Sequence, residues 1–598
     1  MTAKRLSAAL PAGTVNIFVI SCGFGALTVS ELAGPRVYAA CDSVSFGGLH
    51  GMMLTKHLCD ACGQCYLNLT GGICPIVDCS KGLVNGQCGG SKNKKCEVGR
   101  NKDCAWVRIY ERLNTQYHVG QADNPQAGNP QAGYTKTDIL PTDIPPVRFR
   151  DYSRVSFRLI DEYVRTIREK RFEGFYGGLH LYQRKELSEH LPLERFPAPG
   201  IVVIPMSQHT GVPATPTVKA GDAVRLGQKV GEAGAVVSSP VHASVSGTVI
   251  AVEPRLHPVS GIMAMSVVIE SDGKDELHPS VQPCEDWGKL LPGEIVALIR
   301  DKGIVGMGGA AFPTAVKMDP AKPVDTIIIN GCECEPLLTA DHRVMLEYAG
   351  DVILGLEILL RATGAEKGII AVEDNKHDAI TLLEAESADK AGISVAAVRT
   401  KYPHGAEKML INHILGRRVP EGGLPFDVGA IVSNVSTAKA VSDTVTKGMP
   451  LIERVVTVSG ERIRRPGNYM VRVGTPVREI LEYCGGITGD GAIVKLGGPM
   501  MGVGIEDTDV PVIKGINGII AIKPAISESL PCIRCGHCAD VCPMELYPLN
   551  YPHCADIADW NGMRENSVSA CIECGCCDYI CPSGIPIRDA VKLGKRNL

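Results

Sequence analysis

The sequence predicts a multidomain chain in which α/β and β units are set between two cysteine-rich ends. Three observations predict it. A chain of 598 residues is long enough for about four domains of roughly 150 residues each. Of its 24 cysteines, ten fall within 22–104 and ten within 532–581. Between those blocks short apolar runs alternate first with glycine turns and then with helical stretches, the patterns of β modules and of α/β units. Hydrophobic residues at 45% and charged residues at 21% supply enough apolar surface for several cores. A net charge of −4 gives no electrostatic basis for a nucleic-acid partner, and aromatic residues at 5% offer no set of stacking platforms.

Residues 1–117 form a cysteine-rich unit. Residues 118–150 read as a linker, with the direct repeat NPQAG-NPQAG at 124–133 and LPTDIPP at 140–146, compositions that cannot bury a core. A helix and connector are expected over 151–199, with Val155, Leu159, Ile160, Val164 and Ile167 on one side of a helical stretch at 151–172. Over 200–275 valine-rich strands flank Gly-Asp and Ser-Gly turns, which predicts a barrel-sandwich β domain like those of lipoyl and biotinyl carriers. The hairpin where a carrier presents its lysine reads Ser239-Pro240-Val241-His242, so no swinging arm is expected. Residues 276–450 alternate runs such as TIIIN (326–330) and GIIAV (368–372) with helical stretches and read as an α/β domain. Residues 451–515 return to short strands, and 516–598 hold the last cysteines. No apolar run reaches about 18 residues, so no membrane span is expected. The run Val15–Val29, with Cys22 and the upstream Lys4 and Arg5, loosely resembles a lipoprotein cleavage site. A buried strand turning into a helix explains it better, and the expected location is cytoplasmic, at most peripheral on the inner face of a membrane.

The C-terminal spacing is the strongest signal. Cys532-x2-Cys535-x2-Cys538-x3-Cys542-Pro543 is followed by Cys571-x2-Cys574-x2-Cys577-x3-Cys581-Pro582, the bacterial two-cluster ferredoxin run written twice. Three thiolates of one loop converge on a [4Fe–4S] cubane while the fourth reaches the other cluster. One cluster therefore takes Cys532, Cys535, Cys538 and Cys581, and the second takes Cys571, Cys574, Cys577 and Cys542. Cys554 and Cys576 are left over. A pair of zinc knuckles wants two CxxC pairs instead.

The stretch Gly303-Ile-Val-Gly306-Met-Gly308-Gly309-Ala-Ala-Phe312-Pro-Thr-Ala-Val-Lys317 could cradle a phosphate through backbone N–H groups. Alone it is a weak signal. Downstream, Asn330-Gly-Cys332-Glu333-Cys334-Glu335-Pro336, Gly405-Ala-Glu407 and Asn434-Val435 each follow an apolar strand-like run, and strand ends are where open α/β sheets place ligands.

The loop GIVGMGGAAFPTAVK, the stretch NGCECEPLLTADHR and the paired CxxCxxCxxxCP motifs together resemble RnfC, the NADH-binding subunit of the Rnf complex, over about 175–598. More distantly they resemble the flavoprotein subunit of respiratory complex I. The resemblance implies FMN held by Gly306, Gly308, Gly309, Lys317, Asn330, Glu333 and Asn434, with NADH stacking near Phe312, Glu335 and Glu407. It also implies a β-grasp ligand-binding module at 451–515, and makes the last domain a helical ferredoxin-like one. Cys332 stands where the complex I subunit has an aspartate, which puts that flavin contact in doubt. Cys332 and Cys334 read as small packing residues beside the flavin. Hydride transfer takes place at FMN, so no side chain is assigned as catalytic, and His180, His242 and His404 read as structural.

The N-terminal block offers Cys59, Cys62, Cys65, Cys74, Cys79, Cys88, Cys96 and Cys104, enough for zinc, for an iron–sulfur cluster or for both. The run CDACGQCYLNLTGGICPIVDCSKGLVNGQCGG, with CAWVRIYERL after it, resembles MetV, the small subunit of acetogen-type methylenetetrahydrofolate reductase, over about 15–113. That resemblance implies a MetF-type partner subunit. The function expected first is thus an NADH-oxidising electron-entry subunit that passes electrons through FMN and two [4Fe–4S] clusters to a MetF-like partner. The alternative is the NADH subunit of a membrane-bound, ion-translocating Rnf ferredoxin:NAD oxidoreductase, with Rnf membrane subunits or ferredoxin as partners. A metal-bearing assembly scaffold without catalysis is the third reading, and the intact glycine loop with Lys317 and Asn330 argues against it.

Overall fold

The computed structural model describes residues 16–19, 36–39, 73–74, 79, 94–96, 102–112, 175–524 and 529–598. The expected linker at 118–150, the helix at 151–172 and Cys59, Cys62, Cys65 and Cys88 lie outside the described residues. The chain divides into two compact units, Met1–Leu159 with Ile533–Gly536, and Ile160–Cys532 with His537–Leu598.

In the first unit, strands β1 (Asn16–Val19) and β2 (Arg36–Ala39) pair in parallel. Lys95 and Asp103 pair antiparallel, and the Cys104 N–H donates to the Lys94 carbonyl at 2.8 Å. A helix over 105–112 follows. Ile73, Cys104, Trp106 and Ile109 are buried together, with Cys79 packed against them.

The second unit begins with β3 (Leu193–Arg195) and then a small β sandwich. One sheet runs β4 (Ile201–Pro205), β10 (Met263–Ser271), β9 (Gly247–Leu256), β6 (Ala223–Val224). The other runs β5 (Thr215–Pro216), β7 (Lys229–Glu232), β8 (Val241–His242). Val202, Ile204, Val230, Val249, Val267 and Ile269 fill the space between them. The position of a carrier lysine is taken by Val241 and His242, both buried.

Next comes a parallel sheet ordered β13 (Ile393–Val398), β12 (Lys367–Glu373), β11 (Thr326–Gly331), β14 (Ala430–Asn434). Ile327, Ile328 and Ile329 of β11 are all fully buried, as a strand covered on both faces requires. Helices Ala349–Thr363 and Val435–Lys447 cross closely because Gly355 has no side chain: a Cβ there would stand 2.0 Å from the Ala438 carbonyl oxygen.

A six-stranded sheet follows in the order β18 (Val503–Ile505), β17 (Ile493–Leu496), β19 (Gly518–Ile522), β15 (Glu453–Ser459), β16 (Gly467–Arg472), β3. It draws in β19 and β3, both outside the 451–515 stretch that the sequence marks as β-rich. The C-terminal residues form short helices, among them Cys576–Ile580 and Ile587–Arg596, around Tyr551, Met563, Val568, Ile587 and Val591. So small a core is of the kind that bound metal usually supplements.

Candidate redox site

Strand β11 leads through two helices to β12 and then β13 on one side, after which the chain crosses back to lay β14 on the other. The strand order therefore reverses between β11 and β14. At that switch point Asn330 and Asn434 are register partners, and in open α/β sheets a switch point opens the ligand crevice. Asn330 Nδ2 donates to the Gly405 carbonyl at 2.8 Å and its Oδ1 accepts from Cys332 N at 3.0 Å. Asn434 caps helix Val435–Lys447, its Oδ1 accepting from Ser436 N at 2.8 Å. Its Nδ2 donates to Asp341 Oδ2 at 2.7 Å, and Ser436 Oγ reaches Asp341 Oδ1 at 2.8 Å.

The glycine loop closes as a short hairpin, Gly306 N donating to the Phe312 carbonyl at 2.8 Å. Met307 N donates to Thr437 Oγ1 at 2.9 Å, in the first turn of helix Val435–Lys447. The far limb is held from the β sandwich, where Thr210 N donates to Ala311 O at 3.1 Å. At the exposed tip, Gly309 has φ +115°, a conformation in which side-chain-bearing residues are strained. Among the described residues, the N–H groups of Gly308, Gly309 and Ala310 find no acceptor within the chain. A Cβ on Gly308 would meet the Asn434 side chain at 3.5 Å, so the tip lies beside a helix N-terminus. Unpaired N–H groups and a helix N-terminus fit the phosphate of a flavin nucleotide.

Lys317 Nζ pairs with Glu407 Oε1 at 2.5 Å and donates to the Val432 carbonyl at 2.9 Å, joining an expected flavin residue to an expected nicotinamide one. Phe312 is half-buried at the base of the loop. Glu333 is buried, accepts from Asp341 N at 3.0 Å, and has its carboxyl pushed up by desolvation. Lys185 Nζ pins the same turn by donating to the carbonyls of Glu333, Glu335 and Leu338 at 2.7, 3.1 and 2.6 Å. Glu335 accepts from Met500 N and Met501 N at 2.9 and 2.7 Å, which straps the crevice to the six-stranded sheet. Cys332 and Cys334 are buried, and burial pushes both thiols up.

At the C-terminus, Cys542, Cys571, Cys574 and Cys577 line one cavity together with Leu546, Tyr551 and Cys576. Among the described residues no three Cys, His, Asp or Glu side chains close around one point as a single ion requires. A cubane binds each thiolate at a different iron, and four cysteine thiols lining one cavity are the donor set such a cluster takes. Burial pushes the Cys571 thiol up to about 12. Cys576 hydrogen-bonds Cys574 and holds that thiol down. Of the other expected set, Cys538 is buried, Cys581 half-buried and Cys532 exposed in the second unit, while Cys535 belongs to the first.

The crevice and the thiol cavity share a wall. Leu181, Cys334, Tyr402, Cys574 and Cys576 form one buried cluster, and the Tyr402 hydroxyl donates to the Cys574 carbonyl at 2.6 Å. Arg588 also bonds the Met500 carbonyl. Lys185, Asp341 and Tyr402 are site residues that the sequence does not single out. Asp341 stands inside the NGCECEPLLTADHR stretch, whereas Lys185 and Tyr402 carry no local signal.

Comparison with known proteins agrees with this layout. Residues 299–443 match the Nuo51 FMN-binding domain, 173–274 the RnfC barrel sandwich hybrid domain, 455–504 the SLBB domain and 531–586 a 4Fe-4S dicluster domain. Residues 38–130 match a domain described as methylene-tetrahydrofolate reductase C terminal. The chain is 46% identical over 399 residues to the C subunit of the Na(+)-translocating ferredoxin:NAD(+) oxidoreductase complex of Acetobacterium woodii, covering 66% of this chain and 90% of that one. It is 43% identical over 381 residues to the C subunit of the proton-translocating ferredoxin:NAD(+) oxidoreductase complex of Clostridium ljungdahlii, covering 63% and 83%. To the C subunit of the ion-translocating oxidoreductase complex of Rhodobacter capsulatus it is 42% identical over 379 residues, covering 62% and 73%. Among the described residues no helix is long and apolar enough to cross a membrane. With an FMN-binding domain and a 4Fe-4S dicluster domain built around one shared wall, the chain is an oxidoreductase subunit and belongs to the RnfC family.

Proposed function

We propose that this chain is the NAD(H)-linked electron-entry subunit of an ion-translocating ferredoxin:NAD oxidoreductase complex, the second rather than the first of the three expectations. The observation that carries it is the buried contact of Cys334 with Tyr402, Cys574 and Cys576, which sets a flavin crevice against a cluster pocket. FMN, when bound, converts the electron pair of a hydride into the single electrons that iron–sulfur clusters accept. The chain's own groups do the rest. The N–H groups of Gly308 and Gly309 and the side chain of Lys317 hold the phosphate end, while Asn330, Glu333 and Asn434 line the crevice beside the ring. Phe312, Glu335 and Glu407 border the side open to a nicotinamide. Tyr402 excludes water from the gap to Cys574. Cys542, Cys571, Cys574 and Cys577, whose cavity borders the crevice at Cys334 and Tyr402, would hold one [4Fe–4S] cluster. The set Cys532, Cys535, Cys538 and Cys581, assigned from spacing alone, would hold the other [4Fe–4S] cluster.

The match of residues 38–130 to the methylene-tetrahydrofolate reductase domain favours a second reading, in which a MetF-type reductase subunit is an acceptor. Cys74, Cys79, Cys96 and Cys104, with Cys59, Cys62, Cys65 and Cys88, then hold zinc or a further cluster in the docking piece. Anaerobic purification of the native complex tests both. Membrane subunits that co-purify, with NADH-dependent ferredoxin turnover, support the first reading. A soluble complex with a methylenetetrahydrofolate reductase supports the second, and a preparation without flavin sinks both. We expect about eight iron atoms per chain from the C-terminal clusters, with any N-terminal cluster adding to them.

A further inference from the structure

The glycine loop is held from behind by two fully buried cations that make no ion pair among the described residues. Arg454, on β15, donates from Nη2 to the Met307 carbonyl at 3.3 Å and from Nη1 to the Lys514 carbonyl at 2.5 Å. Lys514, in the segment before β19, donates from Nζ to the Gly303 carbonyl at 2.8 Å and to the Pro240 carbonyl at 3.0 Å. Every acceptor named is a backbone carbonyl. The acidic group whose charge acts on Arg454 is Asp341, whose oxygens are already engaged by Asn434 and Ser436.

Peptide geometry converts this into a statement about the ligand side. The Met307–Gly308 peptide is trans, so its carbonyl and its N–H point in opposite directions. Arg454 holds the carbonyl, and the Gly308 N–H is therefore aimed away from Arg454, at the exposed tip. A guanidinium on the carbonyl oxygen also polarises that peptide and makes its N–H a stronger donor. Two buried charges without a partner cost the ligand-free chain stability. An anion at the tip offsets that cost. Burial pushes Lys514 down to about 7 and Arg454 to about 10, the direction expected of cations awaiting a counter-charge.

We propose that Arg454 and Lys514 are positioning residues that fix the peptide planes of the glycine loop and place positive potential behind it, so that the crevice selects a phosphate-bearing flavin over riboflavin. The proposal rests on the flavin reading above. It is tested on the full chain stripped of flavin, titrated with FMN and separately with riboflavin, the binding read by quenching of flavin fluorescence. Arg454→Met and Lys514→Met are each expected to weaken FMN about tenfold, one decade in Kd, and to change riboflavin by less than about twofold. Arg454→Lys, the milder change, keeps the charge and loses the fork; it is expected to weaken FMN about threefold and leave riboflavin unchanged. Equal losses for the two flavins, in any variant, reveal a merely structural role and overturn the proposal, as does an unaltered FMN affinity. A wild-type chain that binds neither flavin overturns the flavin reading and this inference with it.

Discussion

Replacing Cys574 by serine is expected to remove about half of the iron of the two C-terminal clusters while leaving the flavin in place. Cys574 is a buried wall of the thiol cavity, and its carbonyl is the acceptor of the Tyr402 hydroxyl. The substitution strikes the pocket that borders the flavin crevice and nothing in the glycine loop. NADH should still bleach the flavin at close to the wild-type rate. Onward reduction of a one-electron protein acceptor, too large to enter the crevice, should fall by more than about 100-fold, beyond the loss usual for outer-shell changes at metal sites. Cys576→Ser is the matched control. A serine hydroxyl can still donate to the Cys574 sulfur, so iron and turnover should stay near wild type. The measurements are iron per flavin, stopped-flow flavin reduction, and acceptor reduction in one preparation. Unchanged acceptor reduction in the Cys574 variant would mean that electrons leave the flavin by another route.

The contrast between those two neighbouring cysteines shows what local sequence can and cannot convey. Cubane ligands sit at fixed spacing within one loop, so spacing alone proposes Cys571, Cys574 and Cys577 and leaves Cys576 over, and the structure brings all four to one cavity. The glycine loop and the strand-end asparagines were legible for the same reason. Each is a short contiguous signal tied to a backbone requirement, such as the positive φ of Gly309. Residues that act from a distance were not legible. Lys185 reaches carbonyls about 150 positions away, and Tyr402 bonds a carbonyl 172 positions on. Arg454 meets Met307 across 147 positions. Nothing near any of them in sequence marks the role, because the role belongs to the tertiary contact. Sheet membership fails likewise: β19 enters between β17 and β15, and β3 adds an edge beside β16, by pairing that the 451–515 stretch could not announce. Glu335 and Glu407 are expected at the nicotinamide, and the structure shows them engaged in a strap and an ion pair, contacts no motif encodes.

The largest effect on stability is expected at Lys376, where β12 ends beside the crevice. Lys376 Nζ and Glu373 Oε2 are 2.6 Å apart, and the two side chains are 1% and 0% exposed. The second carboxylate oxygen, Glu373 Oε1, has no partner among the described residues, so the pair depends on its one ionic contact. Replacing both charges by apolar groups of similar size is often tolerated, whereas removing one strands the other in a medium that cannot solvate it. Lys376→Met is therefore expected to cost about 3–5 kcal/mol, and the double change Lys376→Met with Glu373→Met to recover most of it. Burial opposes the charge on Lys376, but the carboxylates of Glu373 and Glu333 outweigh it and hold its pKa above the ordinary lysine value of 10.5. A raised folded-state value means that the lysine's contribution is fully present below about 10.5 and is lost only as pH climbs through the higher folded value. The deficit of the single variant should accordingly hold from neutral pH up to about 10 and shrink only in strong alkali. Hydrogen exchange of β12, followed with urea unfolding of the intact chain, reads the change at the strand it concerns. A single variant as stable as the parent, or a double variant no better than the single, would show that this ion pair is not what holds the crevice edge.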